Sequence, residues 1–240
     1  MESLKREGAR AASALRPASV ELGALPYAEG SCLISMGNTR VLCAASVEES
    51  VPGWKKGRGE GWVTAEYAML PRATHTRTSR ERGNLGGRTQ EIQRLIGRSL
   101  RACIDLGALG ERTIRIDCDV IQADGGTRTA SITGGCIALE AACNWLVQRQ
   151  LLQTSPFRTR VAAVSVGIVG GQVLLDLDYS EDSSAEVDLN VVALDQGGLV
   201  EVQGTAERSP FQPEQLATMV ATAHGAIQDL FLLQSRAVAG

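Results

Sequence analysis

The segment from Thr113 to Leu152 constrains the fold more than any other part of the chain. Its first eight residues alternate strictly between apolar and polar, which predicts a half-buried β-strand. The apolar side of this strand consists of Ile114, Ile116, Cys118 and Val120. A glycine pair, Gly125-Gly126, follows the strand, and an alanine-rich stretch then predicts a helix from about Gly134 to Leu152. We therefore expect a strand, a tight turn and a buried helix in direct succession.

Groups of strands followed by a helix occur more than once along the chain. Apolar runs on either side of turn-forming residues predict three hairpins, at residues 30–47, 161–178 and 187–205, and a short strand at 62–66. Helical spacing predicts a helix over 89–105, and Pro213 opens a last helix that extends to about Arg236. We predict an α+β fold, a single layered domain over residues 1–240 with duplicated units of a strand group and a helix.

The composition excludes several classes of protein. A chain of 240 residues with 44% hydrophobic and 21% charged residues is neither disordered nor fibrous. Aromatic residues make up only 4%, which argues against base-stacking platforms as the main binding device. The first thirty residues lack the apolar core of a signal peptide, and no stretch approaches the roughly 18 apolar residues of a membrane span. We therefore expect a soluble, cytoplasmic protein with no membrane contact.

Cysteine and histidine are both poor candidates for catalysis in this chain. The six cysteines include no C-x-x-C pair and lie among apolar or small residues, so we interpret them as buried, reduced thiols. Only two histidines, His75 and His224, are present, and they are far apart in sequence. Histidine acid–base chemistry and a histidine-ligated zinc site are therefore disfavoured.

The charges are segregated along the chain. The formal net charge of −3 by itself argues against a nucleic-acid partner, but residues 72–101 contain eight arginines and two acids, a local balance of 8 − 2 = +6. In contrast, residues 171–202 contain eight acids and no base. Three of the arginines, Arg94, Arg98 and Arg101, share the polar face of the predicted helix over 89–105, and such a charged stripe is more often a plain solvated surface than a binding site. A protein of small net charge can thus carry one basic and one acidic face.

Two short segments are candidate anion sites. In Gly125-Gly126-Thr127-Arg128-Thr129, glycines let backbone N–H groups approach an anion, a following helix N-terminus favours negative charge, and Thr and Arg add donors. The spacing is not that of a P-loop, and a purely structural turn is the alternative. Arg88 follows Gly86-Gly87 just before a predicted helix, and its alternative is an ordinary loop arginine.

Carboxylates cluster near residue 180. The run from Asp178 to Asp182 contains three acids, and Asp188 follows six residues later. Oxygen ligands of this kind suit Mg²⁺, which typically takes one or two protein carboxylates together with water and substrate phosphates. Acids on a surface loop are the alternative. Together with two candidate anion sites, the cluster suggests phosphorus chemistry by positioning and electrostatics.

Several long blocks resemble the ribonuclease PH family of bacterial phosphate-dependent tRNA nucleotidyltransferases. They are GWVTAEY at 61–67, MLPRAT at 69–74, GRT at 87–89 with EIQRLIGR at 91–98, DCDVIQADGGTRTAS at 117–131 and VDLNVV at 187–192. The blocks run in family order over residues 31–236. The resemblance implies a transferase that acts as a phosphorolytic 3′→5′ exoribonuclease. Inorganic phosphate is its co-substrate, nucleoside diphosphate its product, and precursor tRNA and other RNA 3′ ends its substrates.

The resemblance also implies residue roles and an assembly. The phosphate-binding positions of the family match Arg88, Gly126, Thr127 and Arg128. The two aspartates that bind the divalent ion, Mg²⁺ or Mn²⁺, and assist catalysis match Asp182 and Asp188. The arginines that grip tRNA match Arg72, Arg77 and Arg80. Such enzymes are homohexamers, trimers of dimers.

Two segments depart from the family pattern. The N-terminal Arg6-Glu7-Gly8-Ala9-Arg10 lacks the usual Asp-Gly-Arg arrangement, and the loop at 81–87 is about two residues short and lacks a usual lysine. We expect the first to alter subunit contacts and the second to alter tRNA access, with neither touching the residues matched for catalysis. The competing interpretations are a catalytically silent, RNA-binding ring subunit and a metal-dependent hydrolase.

Overall fold

A computed structural model describes residues 6, 9–81 and 83–239 of the chain. Its first sheet has five strands in the order β1-β2-β3-β5-β4, all antiparallel except for the parallel pair β4 and β5. The strands are β1 Ala18–Leu22, β2 Gly30–Met36, β3 Thr39–Glu48, β4 Trp62–Met69 and β5 Thr113–Gln122. The alternation read from the sequence is confirmed in β5, where Ile114, Ile116, Cys118 and Val120 are all buried.

The second sheet has four antiparallel strands in the order β7-β6-β8-β9. They are β6 Val161–Val169, β7 Gln172–Leu175, β8 Val187–Leu194 and β9 Leu199–Ala206. All three predicted hairpins are confirmed, as β2-β3, β6-β7 and β8-β9. The α+β class with repeated strand groups and helices is also confirmed, although the two sheets differ in strand order.

Five helices complete the fold of the described residues. They are α1 Gly87–Arg101, α2 Leu106–Leu109, α3 Thr127–Gln148, α4 Tyr179–Ser184 and α5 Pro213–Ala239. The predicted end of the first helix at Asp105 is wrong, because the Asp105 side chain instead accepts a hydrogen bond from the Ala108 N–H at 3.0 Å and caps α2. The predicted start of the next helix at Gly134 is also wrong. That helix begins at Thr127, because burial of its first turns outweighs the weak helix propensity of Thr, Ser and Gly.

The helix α3 lies at the centre of the molecule. It packs on β2, β3 and β5 of the first sheet and on β6 of the second, and almost every residue from Thr129 to Cys143 is buried. One cluster of buried apolar side chains extends through both sheets. The six cysteines are free and buried, as predicted. That residues 1–240 form a single domain stays a prediction, and this shared core supports it.

Two described helices, α3 and α5, are long and apolar enough to cross a membrane by length and composition alone. In α3, 78% of an apolar stretch of 18 residues is buried inside the protein. In α5, one face is buried on the core, and the outward face carries exposed polar residues such as Gln215, Gln228 and Asp229. Both placements are those of helices packed on a protein core. The expectation of no membrane contact stays a prediction.

Candidate active site

The turn between β5 and α3 depends on its two glycines. Gly125 and Gly126 have φ values of +73° and +64°, in the left-handed region that favours glycine. A Cβ on Gly125 would lie 2.4 Å from the Leu177 carbonyl oxygen, so a side chain there has no space. The helix begins at the next residue, and the first N–H groups of a helix have no partner within it. The turn therefore presents backbone donors and a positive helix end to an anion.

Two arginines border this turn, and each is held differently. Arg128 is half-buried, and its Nη1 donates to Glu91 Oε1 at 3.2 Å and to Gln203 Oε1 at 2.7 Å. Arg88 is the second residue of α1 and is exposed, and it has no hydrogen bond or ion pair among the described residues. Hydrogen bonds thus fix the guanidinium of Arg128, whereas the guanidinium of Arg88 is available to a ligand.

The two aspartates come from neighbouring elements of the second half. Asp182 lies in α4, whose first turn is stabilised by a capping box between Asp178 and Glu181. Asp188 lies in β8, paired with Gly167 of β6 and Thr205 of β9. Both side chains are half-buried. The carboxylate cluster therefore does not lie on a surface loop, which was the alternative considered for these acids.

Burial disfavours the ionised forms of both aspartates and raises their pKa values, and repulsion by Asp182 adds to this effect at Asp188. Burial raises the pKa of Asp182, and the charges of Arg88 and Arg128 oppose the rise. Burial and the nearby charge of Asp182 raise the pKa of Asp188 to about 6. Asp188 Oδ1 is buried with no hydrogen-bond partner in the part of the chain that the structure describes. Two crowded carboxylates and an unsatisfied oxygen form a site that a cation would stabilise.

The two aspartates suit a hard divalent cation, but protein side chains alone do not complete its coordination shell. No cluster of three or more His, Cys, Asp or Glu side chains with metal-binding geometry occurs among the described residues. Mg²⁺ typically uses one or two carboxylates and completes its shell with water and substrate phosphates. Asp182 and Asp188 are thus the residues that would hold such an ion.

One cavity of about 570 Å³ brings the predicted residues together. Its lining includes all six positions matched for phosphate and catalysis, namely Arg88, Gly126, Thr127, Arg128, Asp182 and Asp188. Tyr179, Glu207 and Arg208 also line it and were not predicted. Tyr67 was missed as well; its hydroxyl lies 2.9 Å from Thr127 Oγ1 and fixes the first residue of α3. No local pattern distinguishes these residues, because their partners are remote in sequence.

The three arginines matched to tRNA binding lie outside this cavity. Arg72 lines an adjoining cavity of about 730 Å³, which shares Thr74 and Ala123 with the first. Arg77 and Arg80 are exposed in the segment after β4 and border neither cavity. Arg82, in the same basic stretch, lies outside the described residues. Arg77 and Arg80 thus form an exposed basic segment outside the cavity that holds the other predicted residues.

Comparisons with known proteins agree with this geometry. Family models described as the 3′ exoribonuclease family, domain 1 and domain 2, match residues 14–143 and 159–226. The chain belongs to the 3′ exoribonuclease family. This exoribonuclease is 59% identical to the ribonuclease PH of Methylorubrum populi over 236 residues, which cover 98% of the chain and 100% of that relative. The ribonuclease PH of Methylobacterium radiotolerans is similar to the same extent.

Solved structures share the fold of the exoribonuclease at low sequence identity. Rice (Oryza sativa) Rrp46 matches with a TM-score of 0.78 and 18% identity over 97% of this chain and 100% of that one. An Archaeoglobus fulgidus exosome chain, solved with RNA bound to the active site, matches with a TM-score of 0.79 and 20% identity. The latter match covers 94% of this chain and 91% of that one. These two matches support the fold alone.

The N-terminal segment of the exoribonuclease contacts the helix that carries Asp182. Arg6 donates to both Glu181 oxygens, from Nε at 2.6 Å and from Nη2 at 2.9 Å, and Arg10 adds a bond at 3.1 Å. The hydrogen bonds thus reach Glu181, the neighbour of Asp182 in α4, and the expectation that this segment does not touch the residues matched for catalysis stays a prediction. Glu7 and Gly8, which belong to the same N-terminal segment, lie outside the described residues.

Glu181→Gln is expected to destabilise the exoribonuclease by about 3–5 kcal/mol, because it leaves buried guanidinium groups without their counter-charge. Burial opposes ionisation of Glu181, but the hydrogen bond from Arg6 and the nearby arginine charges outweigh it and lower its pKa. Urea unfolding measures the effect, with Glu21→Gln, at an exposed position of β1, as the control. A loss no larger than that of the control would contradict a structural role for this ion pair.

Proposed function

We propose that this exoribonuclease shortens RNA from the 3′ end by phosphorolysis and that the cavity around Arg88 and Asp188 is its active site. An oxygen of inorganic phosphate attacks the phosphorus of the last phosphodiester bond. The bond from that phosphorus to the 3′ oxygen of the preceding nucleotide breaks, and this oxygen takes up a proton. The products are a nucleoside diphosphate and an RNA shorter by one nucleotide.

A single observation carries the proposal: one cavity is lined both by anion-binding donors and by two carboxylates. Phosphate and the phosphodiester repel each other, so Arg88, Arg128 and the N-terminus of α3 must offset this repulsion before in-line attack. Both aspartates have raised pKa values because of burial. Either carboxyl group is therefore a candidate donor of the proton to the leaving oxygen.

A divalent cation is part of the proposal. Asp182 and Asp188 would hold Mg²⁺ or Mn²⁺, which supplies positive charge for the phosphoryl oxygens and for the leaving oxygen. The orphaned Asp188 Oδ1 supports this assignment, because a buried carboxylate oxygen without any partner is costly. The transferase activity itself needs no histidine or cysteine nucleophile.

The nature of the products tests the proposal. RNA with extra 3′ nucleotides is incubated with the protein and Mg²⁺, with and without inorganic phosphate, and the products are separated by chromatography. We expect nucleoside diphosphates only when phosphate is present. Nucleoside monophosphates formed without phosphate would establish the hydrolase alternative, and no cleavage in either sample would establish the silent, RNA-binding alternative.

We propose that precursor tRNA is the main substrate and that the exposed arginines after β4 bind it. Arg72, Arg77 and Arg80 are exposed, and none of them lines the cavity around Arg88 and Asp188. Arginines in such a segment reach the phosphates of a duplex stem that cannot enter the cavity, while the single-stranded 3′ end extends inward. Ribosomal RNA precursors with similar 3′ ends are further candidate substrates.

Arg77→Ala is expected to weaken tRNA binding about threefold to tenfold and to reduce the salt dependence of binding by about one phosphate contact. Binding isotherms at several salt concentrations measure both effects. Arg149→Ala removes an equivalent exposed charge beyond α3 and serves as the control. An unchanged salt slope for Arg77→Ala would remove this residue from the RNA grip.

We further propose a homohexamer, a trimer of dimers, in the cytoplasm. Apolar side chains exposed on the single chain, such as Tyr27, Trp54 and Leu199, support burial in an assembly. Six free, buried cysteines support a reducing compartment. Sedimentation equilibrium tests the assembly, with an expected mass of six times the 25.4 kDa of one chain.

A further inference from the structure

Two buried side chains, Arg16 and Thr39, form hydrogen bonds with the backbone of the glycine turn. The Asp124 carbonyl oxygen accepts a hydrogen bond from Arg16 Nη1. The Gly125 carbonyl oxygen accepts from Thr39 Oγ1 at 2.6 Å, with Arg16 Nη2 at 3.5 Å. Thr39 Oγ1 in turn accepts from the Asp124 N–H at 2.9 Å. Neither residue lines the cavity.

These bonds determine where the donors of the turn point. In a trans peptide unit the C=O and the N–H of the following residue point in opposite directions. Because the carbonyls of Asp124 and Gly125 point back to Arg16 and Thr39, the N–H groups of Gly125 and Gly126 point away from them. The Gly126 carbonyl accepts from Thr129 Oγ1 at 2.9 Å and from the Ala130 N–H at 3.0 Å, which fixes the next peptide unit in the same way.

Both holding residues are themselves fixed. Arg16 is 6% exposed and pairs with the fully buried Asp176, which accepts from Arg16 Nη2 at 2.7 Å and from the Arg16 backbone N–H at 2.8 Å. Thr39 is fully buried at the first position of β3. Rigid supports of this kind keep hydrogen-bond donors oriented before a ligand arrives, so binding need not supply the ordering energy.

We propose that Arg16 and Thr39 are positioning residues for the phosphate co-substrate: they orient the backbone N–H groups of the turn toward the phosphate without contacting it. This inference rests on the proposed function of the turn as the phosphate site. It adds two residues from the N-terminal part of the chain to a phosphate site otherwise matched to Arg88, Gly126, Thr127 and Arg128.

Thr39→Val tests the proposal, because it removes the hydroxyl at nearly constant volume. We expect the KM for phosphate to rise about fivefold to twentyfold, while the KM for RNA and kcat at saturating phosphate change less than about twofold. Thr39→Ser restores the hydroxyl and should restore the phosphate KM. The matched control is Thr113→Val, since Thr113 is a buried strand threonine that donates to the Ser50 carbonyl oxygen at 2.7 Å, far along β5 from the turn.

Arg16→Lys provides a second variant, which keeps the charge but cannot bond both carbonyls and Asp176 as a planar fork. We expect the same selective rise in phosphate KM, and a smaller increase of the melting temperature on addition of phosphate. The thermal shift reports phosphate binding in any variant that folds. An unchanged phosphate KM and thermal shift in the folded variants, or an equal rise in the KM for RNA, would overturn the proposal.

A parallel measurement on Arg88→Ala separates this proposal from the one on which it rests. A raised phosphate KM for Arg88→Ala with an unchanged value for Thr39→Val and Arg16→Lys overturns only the positioning role. An unchanged phosphate KM in all three variants overturns the assignment of the cavity as the phosphate site. A raised value in all three supports both.

Discussion

Asp188→Asn is expected to lower kcat at least about 100-fold while RNA binding stays within about twofold of the wild-type value. The substitution keeps the size of the side chain and removes its negative charge. It replaces one carboxylate oxygen by an NH₂ group and so weakens one of the two proposed ligands of the divalent ion, at a side chain whose Oδ1 is buried without a partner among the described residues. Single-turnover kinetics with labelled RNA and a binding isotherm measure the two quantities separately.

Stability distinguishes a catalytic effect of this substitution from a folding defect. The pKa of Asp188 is raised to about 6 by burial and by Asp182, so above that pH the ionised carboxylate destabilises the fold. We therefore expect Asp188→Asn to melt at the same or a higher temperature than the wild type at pH 8 without metal. Asp229→Asn, on the exposed face of α5, is the control and should leave all these quantities unchanged. Near wild-type turnover of Asp188→Asn would show that the metal and catalytic assignment is wrong.

Arg88→Ala is expected to raise the KM for phosphate about 10- to 100-fold, with little change in the KM for RNA. Arg88 is exposed at the start of α1 and lines the cavity, and it forms no hydrogen bond or ion pair with any described side chain. Its removal therefore takes away a ligand contact without breaking an internal ion pair. Initial rates over a matrix of phosphate and RNA concentrations give both KM values.

A second arginine of the same helix controls for the loss of charge. Arg94 is exposed in α1, and Arg94→Ala changes the net charge by the same amount without altering the cavity lining. We expect the phosphate KM of this control to stay within about twofold of the wild-type value. An equal rise in both variants would assign the effect to long-range charge and would remove Arg88 from direct phosphate binding.

Local sequence patterns predicted most of the strands because their physical causes are local. The alternation in β5 follows from one face packing on α3, and the hairpin between β2 and β3 is marked by Gly37, which has a φ of +55°. The start of α3 at Thr127 was not predictable in this way. Its first turns contain residues with weak helix propensity, and they are helical because the interior between the two sheets buries them.

The roles of the acids near residue 180 depended on partners that no local pattern indicates. Glu181 and Asp182 are adjacent in sequence, yet the first binds Arg6 while the second lines the cavity. Asp176 binds Arg16, and Glu201 pairs with Arg98 at 2.7 Å. The acidic segment is therefore not one acidic face, and several of its charges neutralise arginines elsewhere in the chain.

The sequence by itself determined the alternation of strands and helices, the glycine turn and, through its long matching blocks, the family and the six residues of the candidate site. Only the tertiary structure decided which charges remain available for a ligand. Glu91 and Gln203 hold Arg128 from positions far away in the chain, whereas Arg88 has no such partner among the described residues. The reason is physical: neutralisation and burial depend on distances between atoms, and folding sets those distances between residues that are remote in sequence.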